Sequence, residues 1–277
     1  MIIHTFATRK IGISMAIKAL FFDIDGTLVS FKTHQIPEST VDALRKVHDK
    51  GVKIFISTGR PLKFIVNLSQ IEDLIDGYVT TNGALCFIGN KTICCNSINK
   101  DEVEKILKKC EEANCPSVVV GENNIAVYNH ETIVDKIFRE GLGLGDFEFA
   151  NLEDTLHENI LQMTPFLTSE EEAALMPTIP GCTSGRWSPD FTDITDLKAD
   201  KGKGITAIAK HEGIDISETM AFGDGGNDNT MLLTAGIGIA MGNANESTKQ
   251  VADYITDTVD EDGIRNALLH FGVIEAS

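Results

Sequence analysis

The chain has 277 residues and a formal charge of −17, with 24 Lys and Arg against 41 Asp and Glu. An acidic field of that size repels nucleic acid and anionic membrane surfaces, so an anionic substrate would have to be held by local cations, backbone amides or metal. No apolar run approaches the roughly 20 residues a membrane helix needs. The six cysteines, Cys86, Cys94, Cys95, Cys110, Cys115 and Cys182, have no C-x-x-C or zinc-ligand spacing and read as reduced thiols of a cytoplasmic protein.

Residues 1–17 lack a contiguous hydrophobic region and read as a disordered N-terminal extension, or as a leader to a natural start at Met15. Then comes an apolar run, Ala19-Leu20-Phe21-Phe22, which stops at Asp23-Ile24-Asp25-Gly26-Thr27. Such a run suits a strand buried on both faces of a parallel sheet. Pro37 opens a helix with Val41, Leu44 and Val47 on one face and Gly51 as its stop. A second strand, 52–57, ends at Thr58-Gly59-Arg60-Pro61. A helix through Phe64, Ile65 and Leu68 is expected next, then a short strand around 78–80 that ends at Asn82-Gly83. This β-α-β-α-β order implies a doubly wound, three-layer α/β core with a parallel sheet.

The middle of the chain has a different rhythm. Helices are expected over 101–114, 132–142 and 169–176, a hairpin over 117–120 and 125–128, and a strand over 160–166. Regular alternation returns at Lys201, with a helix through Ile205, Ile208 and Ala209 that stops at Gly213. A strand over 219–222 then ends at Gly223-Asp224-Gly225-Gly226-Asn227-Asp228. Helices over 229–234, 246–252 and 262–271 and strands over 237–240 and 254–256 complete the pattern. The expected organisation is a catalytic core of 18–84 plus 188–277, split by an inserted α+β cap of 85–187.

Three polar clusters fall at the expected carboxyl ends of core strands: Asp23-x-Asp25, Thr58-Gly59-Arg60, and Asp224 through Asp228. Parallel strands bring such ends to one edge, where open α/β sheets bind ligands. Carboxylates gathered there repel one another and lose hydration, a problem most simply solved by a divalent cation such as Mg²⁺. Taken singly, Asp23-x-Asp25 could be an Asx turn, Thr58 an ordinary turn residue and Asp228 a helix N-cap. Gly223 to Gly226 lacks dinucleotide-binding spacing, and no phosphate-binding loop with a G-K-[ST] ending is present.

Asp23-Ile24-Asp25-Gly26-Thr27, Thr58, Lys201 and Gly223 to Asp228 together resemble the four motifs of the haloacid-dehalogenase-like hydrolases. The insertion after the second motif resembles the Cof-type, subclass IIB, sugar-phosphate phosphatases. The resemblance implies a Mg²⁺-dependent phosphatase acting on small phosphomonoesters, hexose phosphates foremost, through an aspartyl-phosphate. It implies Asp23 as nucleophile, Asp25 as general acid and base, and Thr58 and Lys201 as phosphate contacts. By the same resemblance Asp23, the backbone carbonyl of Asp25 and Asp224 would hold the metal, with Asn227 and Asp228 supporting them. Lys203 is the alternative to Lys201. Gly59, Arg60, Asn82, Gly83 and Arg186 are candidate substrate contacts, although Arg60 could instead pair with carboxylates and Arg186 could end a strand. A sugar phosphomutase and a receiver-like phospho-aspartate protein are the competing functions.

Overall fold

The computed structural model describes residues 16–186 and 188–275. Most of the extension expected at the N-terminus, and Trp187, lie outside them; Ile17, however, already packs on the core. The large sheet has eight strands in the order β13-β12-β11-β1-β2-β3-β4-β5. Its parallel portion comprises β1 (Ala19–Phe22), β2 (Lys53–Ser57), β3 (Gly77–Thr80), β11 (Thr219–Gly223), β12 (Ile237–Ala240) and β13 (Tyr254–Ile255). The chain leaves β1 toward β2 on one side, while β11 flanks it on the other. That reversal makes the carboxyl ends of β1 and β11 a topological switch point.

The apolar run of β1 serves both faces. Leu20 and Phe22 point into a cluster with Leu44 of α1 (Glu38–Asp49) and Leu268 of α9 (Gly263–His270). Ala19 and Phe21 point the other way, toward Ile205 and Ile208 of α6 (Lys201–Glu212) and Met231 of α7 (Asn229–Thr234). Helix α8 (Glu246–Val251) packs beside α7. Phe22 stacks on Phe222 at 4.8 Å and Phe21 on Phe55 at 5.0 Å, so aromatic pairs bind the three central strands on both faces. The expected three-layer core is present.

The helix expected through Phe64 and Leu68 is not. Leu62–Phe64 and Glu72–Leu74 are single 3₁₀ turns. Arg60 Nη1 donates to the Phe64 carbonyl at 2.9 Å, taking the acceptor that a continuing helix would use, and Ile65 is extended.

The smaller sheet is antiparallel, in the order β7-β6-β8-β10-β9. It contains β6 (Ser117–Gly121), β7 (Ile125–Tyr128), β8 (Ile160–Pro165), β9 (Cys182–Gly185) and β10 (Asp193–Asp196). Val119, Met163 and Ile194 face a cluster with Ile106 of α2 (Lys100–Ala113) and Leu175 of α5 (Ser169–Leu175). Val118, Val120 and Leu161 face the other way, toward Phe64, Ala84 and Leu85 beside the large sheet. The two sheets therefore meet through an apolar contact. The helix expected over 132–142 is α3 (Thr132–Val134) running into a π-helical turn, Asp135–Glu140, and α4 (Leu152–Leu156) follows. The wider turn accompanies burial of Phe138 against Phe64, Phe166 and Phe191.

Near each expected border the chain enters one of the two sheets. Strand β4 (Leu85–Ile88) pairs antiparallel with β3, and β5 (Lys91–Cys95) pairs antiparallel with β4, so both extend the large sheet. Strand β10 pairs antiparallel with β8 in the smaller sheet. Sequence alternation marked the parallel strands by their βαβ rhythm, and hairpin strands without an intervening helix fall outside that rhythm.

Candidate active site

Each polar cluster follows directly from a strand end. Asp23 continues β1, Thr58 continues β2 and Asp224 continues β11, all at the same sheet edge. Helix α6 delivers Lys201 from its first residue. Asp200 caps that helix by accepting from Lys203 N at 2.8 Å, and Gly213 ends it in the left-handed region. Lys201 points inward and is 1% exposed, whereas Lys203 lies on the exposed side. The helix face turns Lys201, and not Lys203, toward the carboxylates.

Lys201 Nζ donates to Asp23 Oδ1 at 2.8 Å and to Asp228 Oδ1 at 2.6 Å. The other oxygen of Asp228 accepts from the backbone N–H groups of Asp224 at 3.0 Å and Gly225 at 2.9 Å. Asp228 thus fixes both Lys201 and the loop after β11. Asp23, Asp224 and Asp228 present carboxylate oxygens within 4.8 Å of one another. These three carboxylates form an all-oxygen donor set of the kind that suits a hard divalent cation.

The electrostatics match this geometry. Burial first, and then Asp228, pushes the Asp23 carboxyl well above the ordinary carboxylate range. Burial and Asp228 likewise push Asp224 up to about 7. Burial works against the charge on Lys201, but Asp228 and Asp23 outweigh it and hold the ammonium above its usual range. The site is a buried lysine surrounded by more carboxylate than it can neutralise.

Arg60 has a different role from a free substrate contact. Its Nε and Nη2 donate to the two oxygens of Asp25, both at 2.7 Å, while Nη1 holds the Phe64 carbonyl. The pair is bidentate, with the arginine 12% and the aspartate 35% exposed. Thr58 is buried, its hydroxyl accepting from Arg60 N at 3.1 Å. Asn82, with φ of 53°, accepts at Oδ1 from Asn227 Nδ2 at 3.1 Å, so these two amides span the strand ends beside Gly59. Gly83 has φ of 89°, and a Cβ there would lie 2.3 Å from the Asp200 carbonyl, so only glycine lets this loop meet the start of α6. Arg186 sits elsewhere. Its guanidinium is engaged by Glu172 at 2.7 Å and by the Leu167 carbonyl at 2.8 Å, inside the cap.

Two further residues touch Asp224: Asn243, which lies outside the sequence motifs, and Thr27, which ends the first of them. Asn243, just beyond β12, donates to the Gly26 carbonyl at 2.8 Å and to Asp224 Oδ2 at 3.4 Å, while its Oδ1 accepts from Val259 N at 3.0 Å. Thr27 donates to Asp224 Oδ1 at 3.4 Å. The signal for Asn243 was the one used for the other clusters, a polar residue just past the carboxyl end of a core strand.

Comparison with known proteins agrees with this architecture. Residues 20–268 match the family model for haloacid dehalogenase-like hydrolases. YkrA of Bacillus subtilis, by its name a candidate phosphatase, is 32% identical over 262 residues, covering 93% of this chain and 99% of the relative. The Bacillus subtilis 5-amino-6-(5-phospho-D-ribitylamino)uracil phosphatase YcsE is 28% identical, covering 92% and 96%. The solved structure of the subclass IIB sugar phosphatase BT4131 is 50% identical, covers 93% of this chain and 100% of its own, and superposes with a TM-score of 0.86. BT1666 from Bacteroides thetaiotaomicron is 35% identical, covers 98% and 100%, and gives a TM-score of 0.83. The chain belongs to the haloacid dehalogenase-like hydrolase family, as a phosphatase of the subclass IIB type.

Proposed function

We propose that this phosphatase hydrolyses small phosphomonoesters, sugar phosphates foremost, with Mg²⁺ and through a phosphoryl group carried on Asp23. The observation that carries the reading is the buried Lys201, bonded at once to Asp23 and Asp228. It fixes Asp23 at the sheet edge while leaving Oδ2 outside that bond, free to attack phosphorus. The chemistry of the sugar phosphatase BT4131 supports the substrate class.

Asp23, Asp224 and the backbone carbonyl of Asp25 would hold the metal, whose charge, when bound, offsets repulsion between an anionic nucleophile and an anionic phosphate. In the first half-reaction an oxygen of Asp23 bonds to phosphorus, the bond from phosphorus to the sugar oxygen breaks, and Asp25 protonates that leaving oxygen. In the second, Asp25 takes a proton from water as the water oxygen bonds to phosphorus and Asp23 is released. Thr58 and Lys201 would stabilise the phosphoryl oxygens throughout. A cavity of about 160 Å³, lined among others by Leu62, Lys63, Thr81, Glu122 and Asn123, lies between the core loops and the β6–β7 hairpin. In this reading the leaving group is recognised from that side. A phosphate-release screen over hexose, pentose and nucleotide monophosphates with Mg²⁺ tests the class. Release confined to non-sugar phosphates would overturn it.

Two predictions arise from the site. Arg60 grips the carboxylate that must move a proton, so Arg60→Ala should leave Asp25 unpositioned. Turnover of a sugar phosphate, whose alkoxide leaves only when protonated, should fall by about tenfold or more. An aryl phosphate with a good leaving group should be affected far less, and equal losses on both would assign Arg60 to binding instead.

The second concerns pH. In metal-free protein the Asp224 carboxyl, pushed up to about 7, keeps a proton that an unfolded aspartic acid releases near 3.9. The folded state therefore binds more protons across that interval, and stability falls as pH rises from about 4 to about 7. Mg²⁺ binding needs the carboxylate, so the gain in Tm on adding Mg²⁺ should be small near pH 5 and grow toward pH 8. Melting curves with EDTA or Mg²⁺ across that range check the sign.

A further inference from the structure

Two pairs of cysteines interact thiol to thiol, Cys86 with Cys94 and Cys110 with Cys115. The second pair is sealed in the apolar core of the cap. The first lies elsewhere, in the hairpin that edges the large sheet. Cys86 of β4 stands directly opposite Cys94 of β5 in the antiparallel ladder, so both side chains share one face. Opposed Cα atoms in such a ladder are about 4.5 or 5.5 Å apart, either of which falls within the range a disulfide spans. The pairing shifts register immediately beyond Cys86, which gives the strand local freedom to adjust.

The shared face lies under α6. Both cysteines pack in the cluster that contains Ile205 and Ile208, and a Cβ on Gly204 would sit 3.2 Å from Cys86 Sγ. Gly204 is one turn along from Lys201. We propose that Cys86 and Cys94 form a reversible dithiol–disulfide site whose oxidation shifts the seat of α6 and, with it, Lys201.

Exposure divides the roles. Cys94 is partly exposed and can meet an external disulfide first, whereas Cys86 is buried beneath α6 and reacts only within the pair. The Cys94 thiolate attacks one sulfur of a small external disulfide, whose S–S bond breaks to release a first thiolate. Cys86 gives up its proton and attacks the Cys94 sulfur of the mixed disulfide, expelling the second thiolate. Two protein thiols are oxidised and one external disulfide is reduced to two thiols, so atoms and electrons balance.

The test exposes the full chain to oxidised glutathione and counts thiols, maps peptides without reduction and measures phosphate release. The expected result is loss of two of the six thiols, a peptide pair joined through Cys86 and Cys94, and turnover lowered several-fold. Dithiothreitol should restore both thiols and turnover. Cys94→Ser should abolish the response, and Cys110→Ser should retain it. Six persisting thiols, a glutathione adduct that stays on Cys94, a link through Cys110 and Cys115, or unchanged turnover in cross-linked protein would each overturn the proposal. The thiol count and peptide map need no substrate and no variant, so they decide the linkage even if the substrate class is wrong or Cys94→Ser folds poorly.

Discussion

Asp23→Asn should remove phosphatase turnover, by about 10⁴-fold or more, while leaving the fold intact. The amide keeps an oxygen to accept from Lys201 but cannot form the acyl phosphate. Stability should move the other way from activity. Asp23 is buried beside Asp228 and Asp224, and burial together with those charges already disfavours its ionised form. Removing one of three crowded carboxylates should therefore hold Tm or raise it, as expected where a site is built for chemistry against the preference of folding. A variant that keeps full turnover would refute the nucleophile. One that unfolds would refute the view that Asp23 is a strained member of a stable scaffold.

Lys201→Ala should be costly to both properties. The side chain is fully buried, and its ammonium is what holds Asp23 and Asp228 together at 2.8 and 2.6 Å. Breaking a buried ion pair by removing one partner destabilises by about 3–5 kcal/mol, because the remaining charges are left without compensation. Loss of positive charge at the phosphoryl site should lower turnover by about 10³-fold. The stability defect should shrink in acid, where the orphaned carboxylates take up protons and repulsion falls. Lys203→Ala, on the exposed side of α6, should change neither property appreciably. Denaturant curves at two pH values, read beside turnover, separate this account from one in which either lysine could serve.

Much of this was legible in the sequence because strand ends in a parallel sheet announce themselves. Ala19 to Phe22 had to be buried on both faces, and the acidic residues that followed could not be buried without compensation. The same reasoning applied at β2 and β11, and the structure gathers Asp23, Thr58 and Asp224 at one edge. Lys201 was readable only through the family resemblance, which left Lys203 open; in the structure the two lysines lie on different faces of one helical turn.

What escaped reading had no periodic signature. Strands β4, β5, β9 and β10 are hairpin strands, set by turns and pairing partners distant in sequence. The expected helix at Phe64 gave way because Arg60 reaches the Phe64 carbonyl, a contact made only once Asp25 draws the guanidinium into place. The sequence left Arg60 open between substrate and carboxylates; its bidentate grip on Asp25 depends on how the β2 loop crosses the β1 loop. Asn243 was within reach of the strand-end argument, since it lies just past the carboxyl end of β12.

The central claim is that phosphate passes through a covalent bond to Asp23. The most direct test is an acid quench during turnover of a sugar phosphate with Mg²⁺, followed by peptide mapping by mass spectrometry. The account predicts one phosphoryl group on Asp23, absent from Asp23→Asn and accumulating in Asp25→Asn treated with an aryl phosphate, which can load Asp23 without an acid but still needs a base for release. Rapid phosphate release with no phosphorylated peptide in either protein, or with the group on another residue, would contradict it.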